Sequence, residues 1–133
     1  MLKSNTALTQ SQKIGSESKK DKFDWHSVHD VVLKVEEELL ELKEEISSGD
    51  KKRQELELGD LLFSVAQLSR HLNIDSEKAL LNANAKFEKR FSTMMELCKS
   101  KQLNWSEITD AEKNNLWVEV KKHEKFTLSL IHI

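Results

Sequence analysis

Between residues 28 and 46 the apolar positions Val28, Val32, Val35, Leu39, Leu42 and Ile46 recur at three- and four-residue intervals. At about 100° per residue they share one narrow stripe of a helix, which predicts an amphipathic element with that stripe as its core face. Lys34, Glu38, Glu41 and Glu45 flank the stripe within about 60°, and Glu37 lies a little further round. Ser27 with Asp30 three residues on predicts the N-cap, and Ser48-Gly49-Asp50 the end near Ser47, glycine supplying a left-handed residue. Lys51-Lys52-Arg53 is then a short basic hinge, and the next helix an antiparallel neighbour.

That second helix, from about Gln54 to Leu72, has the opposite character. Leu56, Leu58, Leu61, Leu62, Phe63, Val65, Ala66, Leu68 and Leu72 cover an arc of roughly 220°, which predicts a largely buried rod. Glu57, Asp60, Ser64, Gln67 and His71 are confined to a strip about 80° wide. Gly59, inside the helix, costs about 1 kcal/mol relative to alanine and allows a close backbone approach beside the acids. Asp75 caps a third helix reaching to about Lys99, with Ala79, Leu80, Ala83, Phe87, Phe91, Met94 and Cys98 on its apolar side and Lys86 and Arg90 one turn apart. Thr109-Asp110-Ala111-Glu112 is a capping box opening a fourth helix to about Lys125, on which Leu116, Trp117 and Val120 are apolar. Phe126 to Ile133 alternates like a strand, and residues 1–22, poor in apolar positions, read as a flexible tail.

Composition narrows the class. No proline and only three glycines in 133 residues leave too few turn formers for a sheet-rich fold, so the expectation is all-α and a single domain. A formal charge of −2 offers no basic field, which speaks against a nucleic-acid partner. One cysteine excludes an internal disulfide framework, and with no signal-like or membrane-spanning run the default is the cytoplasm, without a membrane partner.

Glu-rich helices are usually solvated outer faces. The second acidic pair changes that reading, because Glu57 and Asp60 border an otherwise apolar helix and are not generic surface. Acids at i and i+3 project from one face, so Glu38/Glu41 and Glu57/Asp60 on antiparallel neighbours predict one four-carboxylate cluster. All-oxygen ligands select hard cations, Mg²⁺ or Mn²⁺, which complete their shell with water and phosphate oxygens. Lys34, Lys86 and Arg90 would offset phosphate charge, although a solvated basic face explains the last two equally well from spacing alone. Trp117 by itself reads as core.

Glu37-Glu38-x-x-Glu41 followed by Glu57-x-x-Asp60 resembles the EExxE…ExxD signature of all-α nucleoside triphosphate pyrophosphohydrolases. Glu57-Leu-Gly-Asp-Leu-Leu-Phe63, Arg70-His71, Lys86-Phe-Glu-Lys-Arg-Phe91 and Leu116-Trp117 resemble the catalytic domain of MazG proteins over about residues 23–124. The resemblance implies a four-helix bundle over residues 23–125, dimerised or further oligomerised through helix faces, with 126–133 an extension of unassigned role. It implies Mg²⁺-dependent hydrolysis of NTPs or dNTPs between the α and β phosphates, releasing the monophosphate and pyrophosphate, as in cleaning of the nucleotide pool. By position, Glu38, Glu41, Glu57 and Asp60 would hold metal, and Lys34, Lys86, Arg90 and Trp117 would contact nucleotide. Glu37, Glu38 and Glu41 would be the catalytic carboxylates, with Glu37 or a partner of a metal-held water as base. Lys89 departs from the arginine usual in the KFERRF-like run, and many MazG proteins carry two such domains where this sequence shows one. Two other readings stand beside this one: a narrow dUTP/dCTP or phosphoribosyl-ATP enzyme of the same fold, and a non-enzymatic helical assembly module with solvated acids.

Overall fold

A computed structural model describes residues 6–131, with side chains described to residue 124. Among these residues there are five helices and no strand: α1 Ala7–Lys20, α2 Val28–Ser48, α3 Lys51–His71, α4 Ser76–Ser100 and α5 Asp110–Ile131. No helix among them is long and apolar enough to cross a membrane. The chain divides into two compact units, residues 1–80 and 81–133.

Local chemistry explains the helix ends. The Asp30 N–H donates to Ser27 Oγ at 3.1 Å, and Gly49 at φ 76° closes α2 in the left-handed conformation. Asp50 Oδ1 accepts from the N–H groups of Lys52 and Arg53 at the start of α3. Asp75 Oδ1 accepts from those of Glu77 and Lys78 at the start of α4. Thr109 and Glu112 form a reciprocal capping box, each N–H donating to the other's side chain at 3.0 and 3.1 Å. The Thr109 N–H and hydroxyl, both donating to Glu112 Oε1, hold the Glu112 carboxyl below its ordinary pKa.

Three expectations are corrected. Residues 7–20, read as part of a tail, form α1, capped by Thr6 and packed on α3. What holds it is polar and was invisible to an apolar count. Gln12 Nε2 donates to the carbonyls of Ala66 and Ile74, its Oε1 accepts from the Ser76 N–H, and Gln67 Nε2 donates to the Ser11 carbonyl at 2.6 Å. Gly15 permits the close approach, because a Cβ there would collide with the Gln67 carboxamide and the Arg70 guanidinium. The described residues therefore hold a helix ahead of the four expected. The strand-like alternation after Phe126 is overridden as well, since α5 continues to Ile131; residues 132–133 lie outside the described residues.

The third correction concerns faces. Within the first unit α3 packs on both α2 and α1, and Val31, Glu38, Ser64, Ala66 and Gln67 are the buried residues of α2 and α3. The stripe taken for the core of α2 stands out: Val32, Leu39 and Ile46 are exposed, the last at 59%. On α3 the polar strip is the packed side, and Leu56, Leu58, Leu62 and Val65 of the apolar arc are exposed. Periodicity located these faces correctly but could not say which of them meets a neighbour in the same chain. Gly59 faces open space, and among the described residues nothing uses the close approach it allows.

The second unit is built in the usual way. Met94, Cys98, Leu116 and Val120 form a buried cluster joining α4 to α5, with Leu97, Leu103, Trp105, Ile108 and Trp117 packed against it. Arg90 of α4 pairs with Glu124 of α5, and Lys101, just past the end of α4, pairs with Glu119.

Candidate metal centre

Two helices bring the acids together. Glu38 and Glu41 sit one turn apart on the packed face of α2, and Glu57 faces them from α3; one carboxylate oxygen from each lies within 4.8 Å of the others. Glu38 is 5% exposed, and the Oε2 atoms of Glu38 and Glu57 are buried without a hydrogen-bond partner. A buried, unpaired carboxylate oxygen is costly unless something supplies positive charge. Desolvation first, then the Glu41 and Glu38 carboxylates, push the Glu57 carboxyl up to about 7. Crowded acids, orphaned oxygens and an all-oxygen donor set fit a hard divalent cation, and do not suit Zn²⁺.

Lys34 closes one side. Its Nζ lies 3.0 Å from Glu38 Oε1 and 3.1 Å from Glu37 Oε2, and those carboxylates, Glu38 foremost, raise its pKa. Glu37 is exposed, outside the cluster, and touches it only through Lys34. Asp60, the fourth expected ligand, is not among the three clustered acids. It lines an adjoining cavity of about 290 Å³ with Glu38, Lys34, Trp25, Phe63 and Ser64. Trp25, Lys34 and Phe63 also line a second cavity, of about 570 Å³, whose far wall is Ile14, Gly15 and Ser18 of α1. Together they form a path from the acids to an aromatic-lined hollow of the size that small-molecule sites occupy.

The remaining candidates belong to the second unit. Arg90 Nε donates to Glu124 Oε2 at 2.6 Å, and its guanidinium lies 5.9 Å from the Trp117 ring centre. Trp117 packs on the apolar cluster and against Phe87 at 5.4 Å, while Lys86 is exposed.

Sequence reasoning missed the floor of the larger cavity. Arg70 grips Asp24 with two hydrogen bonds, NH2 to Oδ1 at 2.7 Å and NH1 to Oδ2 at 3.0 Å, and His71 Nε2 lies 3.1 Å from the same Oδ1. The Arg70 hydrogen bonds, supported by His71, hold the Asp24 carboxyl far below its ordinary pKa. An adjacent Arg-His pair ending an otherwise apolar helix was the available signal.

Helices that deliver glutamates from neighbouring rods to one point, with a lysine and a cavity beside them, define an all-α protein with a carboxylate cluster that could hold a metal ion. The sequence model of the MazG nucleotide pyrophosphohydrolase domain matches residues 26–95, more than half of the chain, and the chain belongs to that family. It is 40% identical over 115 residues to the nucleoside triphosphate pyrophosphohydrolase/pyrophosphatase MazG of Thermotoga maritima, covering 86% of this chain and 44% of that protein. With the nucleoside triphosphate pyrophosphohydrolase of Escherichia coli K12 the identity is 36% over 120 residues, covering 89% and 46%. The chain thus spans less than half the length of these relatives.

Proposed function

We propose that this chain hydrolyses nucleoside or deoxynucleoside triphosphates to the monophosphate and pyrophosphate, by attack of water at the α-phosphate, in the cytoplasmic nucleotide pool. The observation that carries the reading is the Glu38–Glu41–Glu57 cluster with its unpartnered buried oxygens. Those three carboxylates would hold Mg²⁺, or Mn²⁺, with Asp60 at the cavity edge completing the set on the substrate side. When bound, such an ion offsets the charge of the triphosphate and makes a bound water more acidic.

The chain's own groups do the rest. Lys34 Nζ, already held between Glu37 and Glu38, is placed to meet a phosphate oxygen, and Glu37 keeps it there. Glu38 and Glu41 orient the attacking water, the buried Glu38 excluding bulk solvent from it. The nucleoside extends into the hollow bounded by Trp25, Phe63 and α1. Lys86, Arg90 and Trp117 are substrate contacts in this proposal, Arg90 exchanging its Glu124 partner for phosphate. A homodimer or larger homo-oligomer covers the exposed apolar faces of α2 and α3, contiguous surface that isolated soluble chains rarely leave open.

The test is pyrophosphate release from a panel of NTPs and dNTPs with Mg²⁺. Release with a few-fold spread among bases supports a broad pool-cleaning enzyme, and no release by folded protein refutes the proposal. The walled hollow favours the narrower reading as the alternative, and a preference of a hundredfold or more for one base would establish it. Sedimentation at low concentration checks the assembly, which a clean monomer overturns.

A further inference from the structure

The connector between α1 and α2 carries Phe23 and Trp25 to the mouth of the larger cavity, yet few apolar contacts hold it: Phe23 is 79% exposed. Its anchor is the residue between them. Asp24 is 11% exposed and takes four polar contacts on two oxygens: both Arg70 terminal nitrogens, His71 Nε2, and the Trp25 N–H at 2.9 Å. The carboxylate therefore holds the backbone of Trp25 directly. The indole ring in turn meets the His71 ring edge-on, with centroids 6.2 Å apart. Behind the clamp, Arg70 Nε donates to Gln67 Oε1 at 2.8 Å, and fully buried Gln67 ties on to the Ser11 carbonyl. One chain of hydrogen bonds, charge-assisted at Asp24 and Arg70, thus ties together three pieces of the cavity wall: α1, the connector and Gln67 of α3.

We propose that Asp24 is a positioning residue, acting through the Trp25 backbone and the Arg70–His71 pair to set the indole as the wall against which the nucleoside part of the substrate packs. The inference deepens the proposed triphosphate reading and rests on it. Asp24 touches none of the three clustered acids, so its effect falls on nucleoside recognition and spares the metal. Bidentate pairing on the half-buried Asp24 makes the geometry stringent, and neither asparagine nor a lysine at position 70 reproduces it.

The experiment compares wild-type chain with Asp24→Asn and, as a second route to the same defect, Arg70→Lys. KM for nucleoside triphosphate rises about tenfold or more in each, kcat stays within about threefold, and inhibition by inorganic triphosphate, which has no nucleoside, is unchanged. Mn²⁺ affinity measured calorimetrically is also unchanged. An independent readout needs no turnover. Of the three tryptophan indole N–H signals, that of Trp25, assigned with Trp25→Phe, shifts or broadens in both variants, while those of Trp105 and Trp117 in the other unit stay in place. An unaltered Trp25 signal in a folded variant overturns the proposal. So does an unchanged KM, or an equal loss of affinity for inorganic triphosphate. If wild-type protein releases no pyrophosphate, the triphosphate reading fails by itself, and the indole signals still judge the clamp.

Discussion

The two units bury opposite materials. In residues 81–133 the buried set is Met94, Cys98, Leu116 and Val120, a small apolar core of ordinary kind. In residues 1–80 Val31 and Ala66 are the buried apolar residues described, against Glu38, Ser64, Gln67 and Ser76. Both units are helical throughout, the first with α3 packed on α1 and α2 and the second with α4 and α5. The difference is that the first spends its packed faces on chemistry: the side of α2 that meets α3 carries acids, and the side of α3 that meets α1 carries amides and a guanidinium. A unit built this way has specific geometry and little hydrophobic reserve, and the loss of one hydrogen-bonding side chain leaves its partners unpaired in the interior.

The largest expected effect breaks the acidic side of this contrast. Glu41→Gln removes one of three clustered donors and lowers Mn²⁺ affinity and pyrophosphate release by at least ~100-fold, the upper end of what outer-shell changes alone cause. Glu37→Gln, on an exposed carboxylate outside the cluster, costs far less in the same assays. Next come the two cores. Leu116→Ala leaves a cavity in the second unit and costs ~2–5 kcal/mol in denaturant unfolding. Gln67→Met keeps volume in the first unit but strands the Ser11 carbonyl and Arg70 Nε, at ~1–3 kcal/mol. An apolar replacement that stabilised the first unit would erase the distinction.

How much of this was readable beforehand depended on range. The caps at Ser27, Asp75 and Thr109 are fixed within three residues, so they showed in the sequence. The convergence of Glu38, Glu41 and Glu57 followed from turn spacing plus an antiparallel hairpin. Asp60, drawn into the same set by the i,i+3 rule, lines the adjoining cavity with Glu38, since reach across two helices is not a matter of wheel angle alone. The exposed leucines of α2 and α3 were assigned to a core, since a wheel reports an apolar arc and not what covers it. Most opaque were α1 and Asp24. Gln12 and Gln67 act on backbone carbonyls, and Asp24 lies 46 residues from Arg70, so neither leaves a periodic trace.

Acidity sharpens the comparison further. The Glu57 carboxyl titrates about 7 in the fold against 4.5 ordinarily, so the folded chain holds its proton more tightly than the unfolded one. Without metal, stability from this group is full below about 4.5 and is lost as pH rises through about 7. Melting with chelator across that window shows the decline, and saturating Mn²⁺ removes it. Affinity for Mn²⁺ weakens about tenfold per pH unit below 7, where proton and cation compete for the same oxygens. Asp24 runs the other way: its lowered carboxyl supports the fold above its ordinary 3.8 and ceases to do so as pH falls further. The smallest effect is Gly59→Ala, which meets no atom within 4 Å and stabilises the separate chain by ~0.5–1 kcal/mol in unfolding measurements. A loss instead would show that a second copy approaches the helix there.

The matched family region starts at residue 26, but the buried amide at its centre does not end there. Gln67 finds its acceptor on Ser11, and the Ala66 and Ile74 carbonyls find their donor on Gln12, both upstream of that boundary. A shortened protein trimmed to the matched residues would keep every clustered acid and still lose a wall of the hollow, leaving polar atoms in the interior with nothing to bond. Where the first residue is set therefore decides whether a measured ligand preference belongs to a walled hollow or to an open-sided remnant of it.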